Sequence, residues 1–215
     1  MQPTIRDIDK IVFGNPSLRD YKIMQQESYL DRLVPELKMF SPPKNSSTAA
    51  VKELESLISF LSEKKEIQNH LFDNELLNFI KNIFVSAGAD PDNINQTILN
   101  IENDVAPLIT KLKYFFNRPR PSQLACYYGL HLFPDFSYFT NTPSYPSGHS
   151  TLTAITCEVL GNHYPESYTQ MKDLTKAVSV SRLYIGAHYP SDNDTAMIVA
   201  KKVVANPEFK LRFRL

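Results

Sequence analysis

YPSGHSTLTA, residues 145–154, reads as the start of a helix: Pro146 breaks the preceding chain, Ser147 stands where an N-cap belongs, and small and apolar residues follow. A surface helix needs no more than the cap, yet Gly148 and His149 come next. A helix beginning near Ser147 presents unpaired backbone N–H groups and the positive end of its dipole, which together favour an anion. Gly148 lets that anion approach the backbone closely, Ser147 either caps the helix or donates its hydroxyl to the same anion, and His149 adds a titratable group in the first turn. A capped helix carrying an incidental surface histidine accounts for this stretch alone equally well.

Outward from this point the pattern is helical. Helices are expected at about 148–162, 167–184 and 191–205. Upstream, Val51, Leu54, Leu57, Ile58 and Leu61 recur at helical spacing behind the caps Ser46, Ser47 and Thr48. Leu76, Leu77, Phe79, Ile80 and Ile83 predict a second helix closed by Gly88 and ADPDN. Ile98, Ile101, Val105, Leu108, Ile109 and Leu112 predict a third from Ile94 to about Phe116, bent or entered at Pro107 and stopped before NRPRP. Residues 1–45 have no clean period and run into SPPKNSS, which predicts an arm of short helices wrapped on the body. Residues 119–146, rich in prolines and aromatics, read as a long structured loop. The tail FKLRFRL alternates Phe209, Leu211, Phe213 and Leu215 with basic residues, a period of two that predicts an extended segment. Its buried face would pack on its own domain or on a second subunit of a homo-oligomer.

The expected fold is therefore all-α, a single-domain bundle of about six main helices over residues 1–215. The 42% hydrophobic content of 215 residues suits one core, and 15 prolines against 6 glycines suit helices joined by stiff connections. With 23 basic and 23 acidic residues, no global field favours nucleic acid or an acidic membrane. No apolar run approaches the roughly 20 residues of a transmembrane segment, and MQPTIRDIDK lacks the apolar core of a signal peptide. A soluble, cytoplasmic protein is expected, or a periplasmic one if a leader was removed. Cys126 and Cys157 make neither a disulfide framework nor a zinc site and read as ordinary thiols.

Two other stretches bear on PSGH. In KLKYFFNRPRP, Lys111 and Arg118 are two helical turns apart and so share one face just before Pro119. In SRLYIGAHYPSD, Arg182 precedes His188 and Asp192, with Gly186 and Pro190 enforcing a turn. A carboxylate four residues after a histidine invites a hydrogen bond to one ring nitrogen, which leaves the other free as nucleophile or base. Asp192 has a competing job, because 191–194 also resembles a helix start with Ser191 as N-cap. Taken singly, these residues have plain alternatives in a solvated helix face and a capping histidine.

In order the stretches read K-x6-RP at 111–119, PSGH at 146–149 and SR-x5-H-x3-D at 181–192. This resembles the type 2 phosphatidic acid phosphatase (PAP2) superfamily, which includes bacterial class A acid phosphatases, lipid phosphate phosphatases and vanadium-dependent haloperoxidases. The resemblance spans 111–192 and implies a metal-independent phosphatase acting on a small phosphorylated substrate, with no cofactor and no metal. It implies that His188 attacks phosphorus to form a phosphohistidine, that Asp192 fixes its tautomer, and that His149 is the general acid and then the base. Lys111, Arg118, Arg182, the Ser147 hydroxyl and the Gly148 amide would hold the phosphoryl oxygens. One neutral and one protonated histidine imply a bell-shaped optimum from mildly acid to neutral pH. Arg120 falls outside the signature and reads first as a surface arginine, with reach into the site or charge balance on the loop as the alternatives; His70, His131 and His163 carry no assigned chemistry, though His131 sits in the loop that could line the pocket. The alternatives are a vanadium-dependent haloperoxidase, disfavoured by the short chain, and a catalytically silent phosphate-binding protein, disfavoured by the intact set of acid, nucleophile and orienting carboxylate.

Overall fold

The computed structural model describes residues 5–62, 74–132 and 141–215, and every regular element among them is helical. In chain order these are α1 (Ile5–Ile8), α2 (Leu18–Met24), α3 (Val34–Leu37), α4 (Thr48–Ser62), α5 (Asn74–Val85), α6 (Pro91–Phe116), α7 (Pro121–Ala125), α8 (Gly148–His163), α9 (Tyr168–Tyr184), α10 (Pro190–Ala205) and α11 (Pro207–Phe213). The all-α expectation holds, and α4, α5, α6, α8, α9 and α10 are the long helices foreseen from periodicity.

Helix α6 is the spine, 26 residues and so about 39 Å long. The Asp90 carboxylate accepts from the N–H groups of Asp92 and Asn93 at 2.9 and 3.0 Å, and Pro91 sits in the first turn, where a missing N–H costs nothing. Pro107 removes the bond to the Asn103 carbonyl without ending the helix. Ile101, Val105, Leu108 and Leu112 of α6 meet Ile155 and Val159 of α8, Val199 and Val203 of α10, and Phe209 and Phe213 of α11 in one apolar cluster. A second cluster joins α5 and the start of α6 to α8 and α9 through Phe84, Ile98, Leu160 and Met171.

Helix α8 thus lies between α6, α9 and α10. This explains its run of small residues. A Cβ at Gly161 would fall 2.3 Å from Tyr168 Cδ2, so only glycine admits the start of α9 at that distance. At the other end of α6, Asn117 takes the left-handed conformation (φ 47, ψ 37) and closes the helix on the Lys113 carbonyl at 2.8 Å. Its side chain exchanges hydrogen bonds with the backbone of Gly14, and its carbonyl accepts from Phe13 N–H. The N-terminal arm, with its short α1, α2 and α3, is strapped there.

Two expectations fail. The tail is helix α11 and not an extended segment, because Asn206 caps the N–H groups of Glu208 and Phe209 and Pro207 starts the turn. Phe209 and Phe213, four apart, then share one buried face while Leu211 is 82% exposed. Burying two phenylalanines stabilises by roughly 1.5–3 kcal/mol each, more than an alternating strand with no neighbour to pair would gain. The loop expected at 119–146 contains α7 and a 3-10 turn at Cys126–Tyr128, and its residues 133–140 lie outside the described residues. His70 does so too.

Candidate active site

Residues on an α-helix two positions apart point about 200° apart, so Lys111 and Lys113 cannot face the same place. Lys113, four residues after Ile109, is on the buried face, only 7% exposed, and its Nζ donates to the Pro143 carbonyl at 2.6 Å. Lys111 points away, its Nζ donating to Asp31 Oδ1 at 2.6 Å and to the Gln26 carbonyl at 2.8 Å. The sequence assignment of Lys111 to the anion site is therefore displaced by two residues. NRPRP permits two overlapping K-x6-RP frames, 111–119 and 113–121, and the helical face of α6 selects the second.

The arginines shift in the same way. Beyond Asn117 the chain is extended, and Arg118 and Arg120, alternate residues, both turn inward. Arg120 is 5% exposed and not a surface residue; its Nη1 lies 3.2 Å from His188 Nε2 and donates to the Ala187 carbonyl at 2.7 Å, while its Nε donates to the Thr142 carbonyl at 2.8 Å. Arg118 stands behind the histidine. Its Nη1 donates to Asp192 Oδ1 at 2.6 Å and to Ser191 Oγ at 2.8 Å, and its Nη2 to Glu53 Oε2 at 2.7 Å. The guanidinium carbon lies 3.7 Å over the Tyr189 ring. Both terminal nitrogens of Arg118 are thus engaged with carboxylates, in place of the phosphate contact expected from the sequence.

His188 and Asp192 are joined as their spacing suggested. Nδ1 is 3.1 Å from Asp192 Oδ2, which also accepts from Tyr189 N–H at 3.0 Å. Asp192 therefore orients the histidine and caps α10 at once, and the residue preceding α10 is Tyr189, not Ser191. An ionised Asp192 only accepts, so Nδ1 carries the proton and Nε2 presents its lone pair toward Arg120. Arg182, buried in the last turn of α9, offers its carbonyl to the N–H groups of Ala187 and His188.

PSGH is tied to this pair: Ser147 N–H donates to the Asp192 carbonyl at 3.0 Å. The Ser147 side chain caps α8 by accepting from Ser150 N–H and donates to Ser150 Oγ at 2.9 Å, so of its two expected uses capping is the one realised. Gly148 opens α8, and a Cβ there would meet Lys113 Cε at 3.7 Å and Ile109 Cγ2 at 4.0 Å. His149 follows in the first turn, partly exposed. A groove lined by Asn93, Thr97, His163, Tyr164 and Arg212 lies elsewhere and shares no residue with this cluster.

Burial in cationic surroundings sets the protonation states. Desolvation, then Arg120 and Lys113, hold the His188 pKa well below the usual imidazole value, with Asp192 opposing. Burial pushes the Asp192 carboxyl up, but Arg118, His188 and the Tyr189 N–H overcome it and keep it well below the usual carboxylate range. Desolvation and Arg120 lower Lys113 well below an ordinary lysine, and burial brings Arg120 down to about 10. Like charges are crowded together here, a state that an incoming dianion relieves.

A pH dependence follows with a definite sign. Unfolded His188 takes up a proton near pH ~6.5, whereas the folded site resists it, so stability falls as pH drops below that value. Asp192, depressed in the fold, contributes stability that is present above its unfolded value near ~3.9 and is lost at lower pH. Melting temperatures followed from pH 7.5 to 5 should decline in the wild type and decline less in His188→Ala; equal declines would show that His188 is not the group resisting protonation.

Residues 104–204 match the PAP2 superfamily. Over 128 residues the chain is 31% identical to a non-specific acid phosphatase of Providencia stuartii, an alignment that covers 56% of this chain and 50% of that protein. The chain thus spans about half the length of this curated relative. Among the described residues no helix is long and apolar enough to cross a membrane.

Proposed function

We propose, from the match of residues 104–204 to the PAP2 superfamily, that the chain is a phosphatase that hydrolyses phosphate monoesters at His188 through a phosphohistidine, without a metal ion. The observation that carries this reading is the held imidazole, with Nδ1 on Asp192 at 3.1 Å and Nε2 turned to Arg120 at 3.2 Å. Burial and the cations keep this histidine neutral, as a nucleophile must be.

Chemistry consistent with this geometry runs in two steps. In the first, the Nε2 lone pair forms a bond to phosphorus while the bond from phosphorus to the leaving oxygen breaks, and His149 gives that oxygen its proton. Lys113, Arg120, Arg182 and the Gly148 N–H at the start of α8 would bind the phosphoryl oxygens, supplying the positive charge that a metal supplies elsewhere. In the second, His149 takes a proton from water, which attacks phosphorus and expels Nε2, and phosphate leaves. Asp192 stays ionised throughout and balances the charge on the phosphorylated imidazole.

Phosphate release from p-nitrophenyl phosphate, nucleotides, sugar phosphates, pyrophosphate and short-chain phosphatidate, measured in EDTA, tests the proposal. Release from at least one monoester in the chelator is expected. Release that vanishes on chelation would overturn the metal-independent mechanism, and no release from any substrate would overturn the function.

Gly148→Ala separates fold from chemistry. Both contacts of the added Cβ are at ordinary van der Waals distance, so the helix tolerates alanine. The methyl group would stand beside Lys113 at the mouth of the α8 N-terminus, where an anion must come close. An unchanged or higher melting temperature is expected, with kcat/KM lower by roughly tenfold to a hundredfold. Unchanged kinetics would remove the Gly148 N–H from the phosphate site.

A further inference from the structure

Helix α4 buries Ala50, Leu54 and Leu57, and on that same apolar side it carries a carboxylate, Glu53. Its side chain is 13% exposed and it lies outside residues 104–204. Glu53 Oε2 accepts from Arg118 Nη2 at 2.7 Å and Oε1 accepts from Ser191 N–H at 2.8 Å. Ser191 is in the first turn of α10, so a single carboxylate clamps both the arginine and the backbone on which Asp192 is mounted. From Arg118 the line continues to Asp192 Oδ1 at 2.6 Å and from Asp192 Oδ2 to His188 Nδ1 at 3.1 Å.

We propose that Glu53 is a positioning residue for His188, fixing Arg118 against Asp192 so that Oδ2 is aimed at the imidazole Nδ1–H. The inference rests on the assignment of His188 as nucleophile. Three arguments support it. Asp192 has two oxygens: the Tyr189 N–H holds Oδ2 at 3.0 Å, and Arg118 on Oδ1 at 2.6 Å adds the second hold, so without Arg118 the plane of the carboxylate rests on one contact besides His188. Arg118, in turn, sits near the cation-rich phosphate site, and Glu53 holds its guanidinium on the far side of Asp192. Finally, Glu53 and Asp192 together outweigh the burial of Arg118 and raise its proton affinity above that of an ordinary arginine, so the chain of charges is self-consistent.

The charged groups acting on His188 are Arg120 ahead of α7, Lys113 from α6 and Asp192 from α10, with Arg118 and Glu53 of α4 behind Asp192 and Arg182 of α9 acting on Arg120. Removing the Glu53 charge leaves this set more positive. His188 then becomes harder to protonate, and the acidic limb of the pH–rate profile moves to lower pH.

The test reads the downfield proton resonance of His188 Nδ1–H, identified by its disappearance in His188→Ala, together with p-nitrophenyl phosphate kinetics. In Glu53→Gln the resonance should move upfield, kcat should fall by about tenfold or more with KM nearly unchanged, and the acidic limb should shift down. Glu55→Gln, an exposed neighbour on the same helix, should change none of these. Because glutamine keeps an acceptor oxygen for the Ser191 N–H and the lost charge acts through Arg118, Glu53→Gln placed in an Arg118→Met background should cost less than about twofold more. If Glu53→Gln does not fold, Arg118→Lys, which keeps the charge but loses the planar fork, should give the same upfield shift.

A folded Glu53→Gln with wild-type resonance and pH limb would overturn the proposal, as would losses that multiply independently in the double variant. Should the wild type release no phosphate while the resonance still responds, the relay stands and the phosphatase assignment fails. Phosphate release with an unresponsive resonance would leave the phosphatase assignment standing and overturn the relay.

Discussion

His188→Ala should reduce phosphate release by at least about ten-thousandfold while leaving a folded protein, because in the proposed mechanism it removes the nucleophilic atom. Folding should survive since the partners of His188 keep other contacts: Asp192 retains Arg118 at 2.6 Å and the Tyr189 N–H at 3.0 Å. The lost ring leaves a small cavity beside Arg120, whose Nη1 keeps the Ala187 carbonyl at 2.7 Å. The measurements are single-turnover kinetics and a melting curve. Retention of more than a hundredth of wild-type turnover would remove His188 from the covalent step.

Arg120→Ala should cost roughly a hundredfold to a thousandfold in kcat/KM, the usual loss when one preorganised donor to a developing charge is deleted. Lys111→Ala should change it by less than about twofold, since its ion pair with Asp31 lies on the far side of α6 and partly exposed pairs of this kind contribute little. The contrast decides between the two overlapping motif frames. A large loss for Lys111→Ala with a mild one for Arg120→Ala would restore the frame at 111–119.

The sequence reading took the frame at 111–119, whereas the structure turns Lys113 inward and Lys111 toward Asp31. KLKYFFNRPRP satisfies K-x6-RP twice, and counting residues does not discriminate. Facing does: Lys113 follows Ile109 by four and Val105 by eight, on the stripe that packs in the core, whereas Lys111 is turned toward the arm and Asp31. The long helices were legible because their apolar stripes and caps agree. PSGH and the His188 to Asp192 spacing were legible because each is local to one helix start. The tail misled because Phe209 and Phe213 satisfy a period of two and a spacing of four equally, and only Asn206 and Pro207 break the tie. Glu53 was out of reach, since its partner Arg118 is 65 residues away and the pairing exists only once α4 packs beside the start of α10. A charged residue on the Ala50, Leu54, Leu57 face was the one local signal.

These assignments also explain why the site is expensive in stability. Lys113 and Arg120 are buried near each other, and each lowers the proton affinity of Lys113 or His188. Such crowding of like charge is unfavourable in the empty protein and is relieved when an anion enters.

The most direct test is to mix enzyme with p-nitrophenyl phosphate, denature within milliseconds under alkaline conditions that preserve phosphohistidine, and sequence the peptides by mass spectrometry. One phosphoryl group on His188, lost on brief acid treatment and absent from His188→Ala, is the result expected here. Phosphate release by an active enzyme that never carries phosphate on His188, or carries it on another residue, would contradict the account.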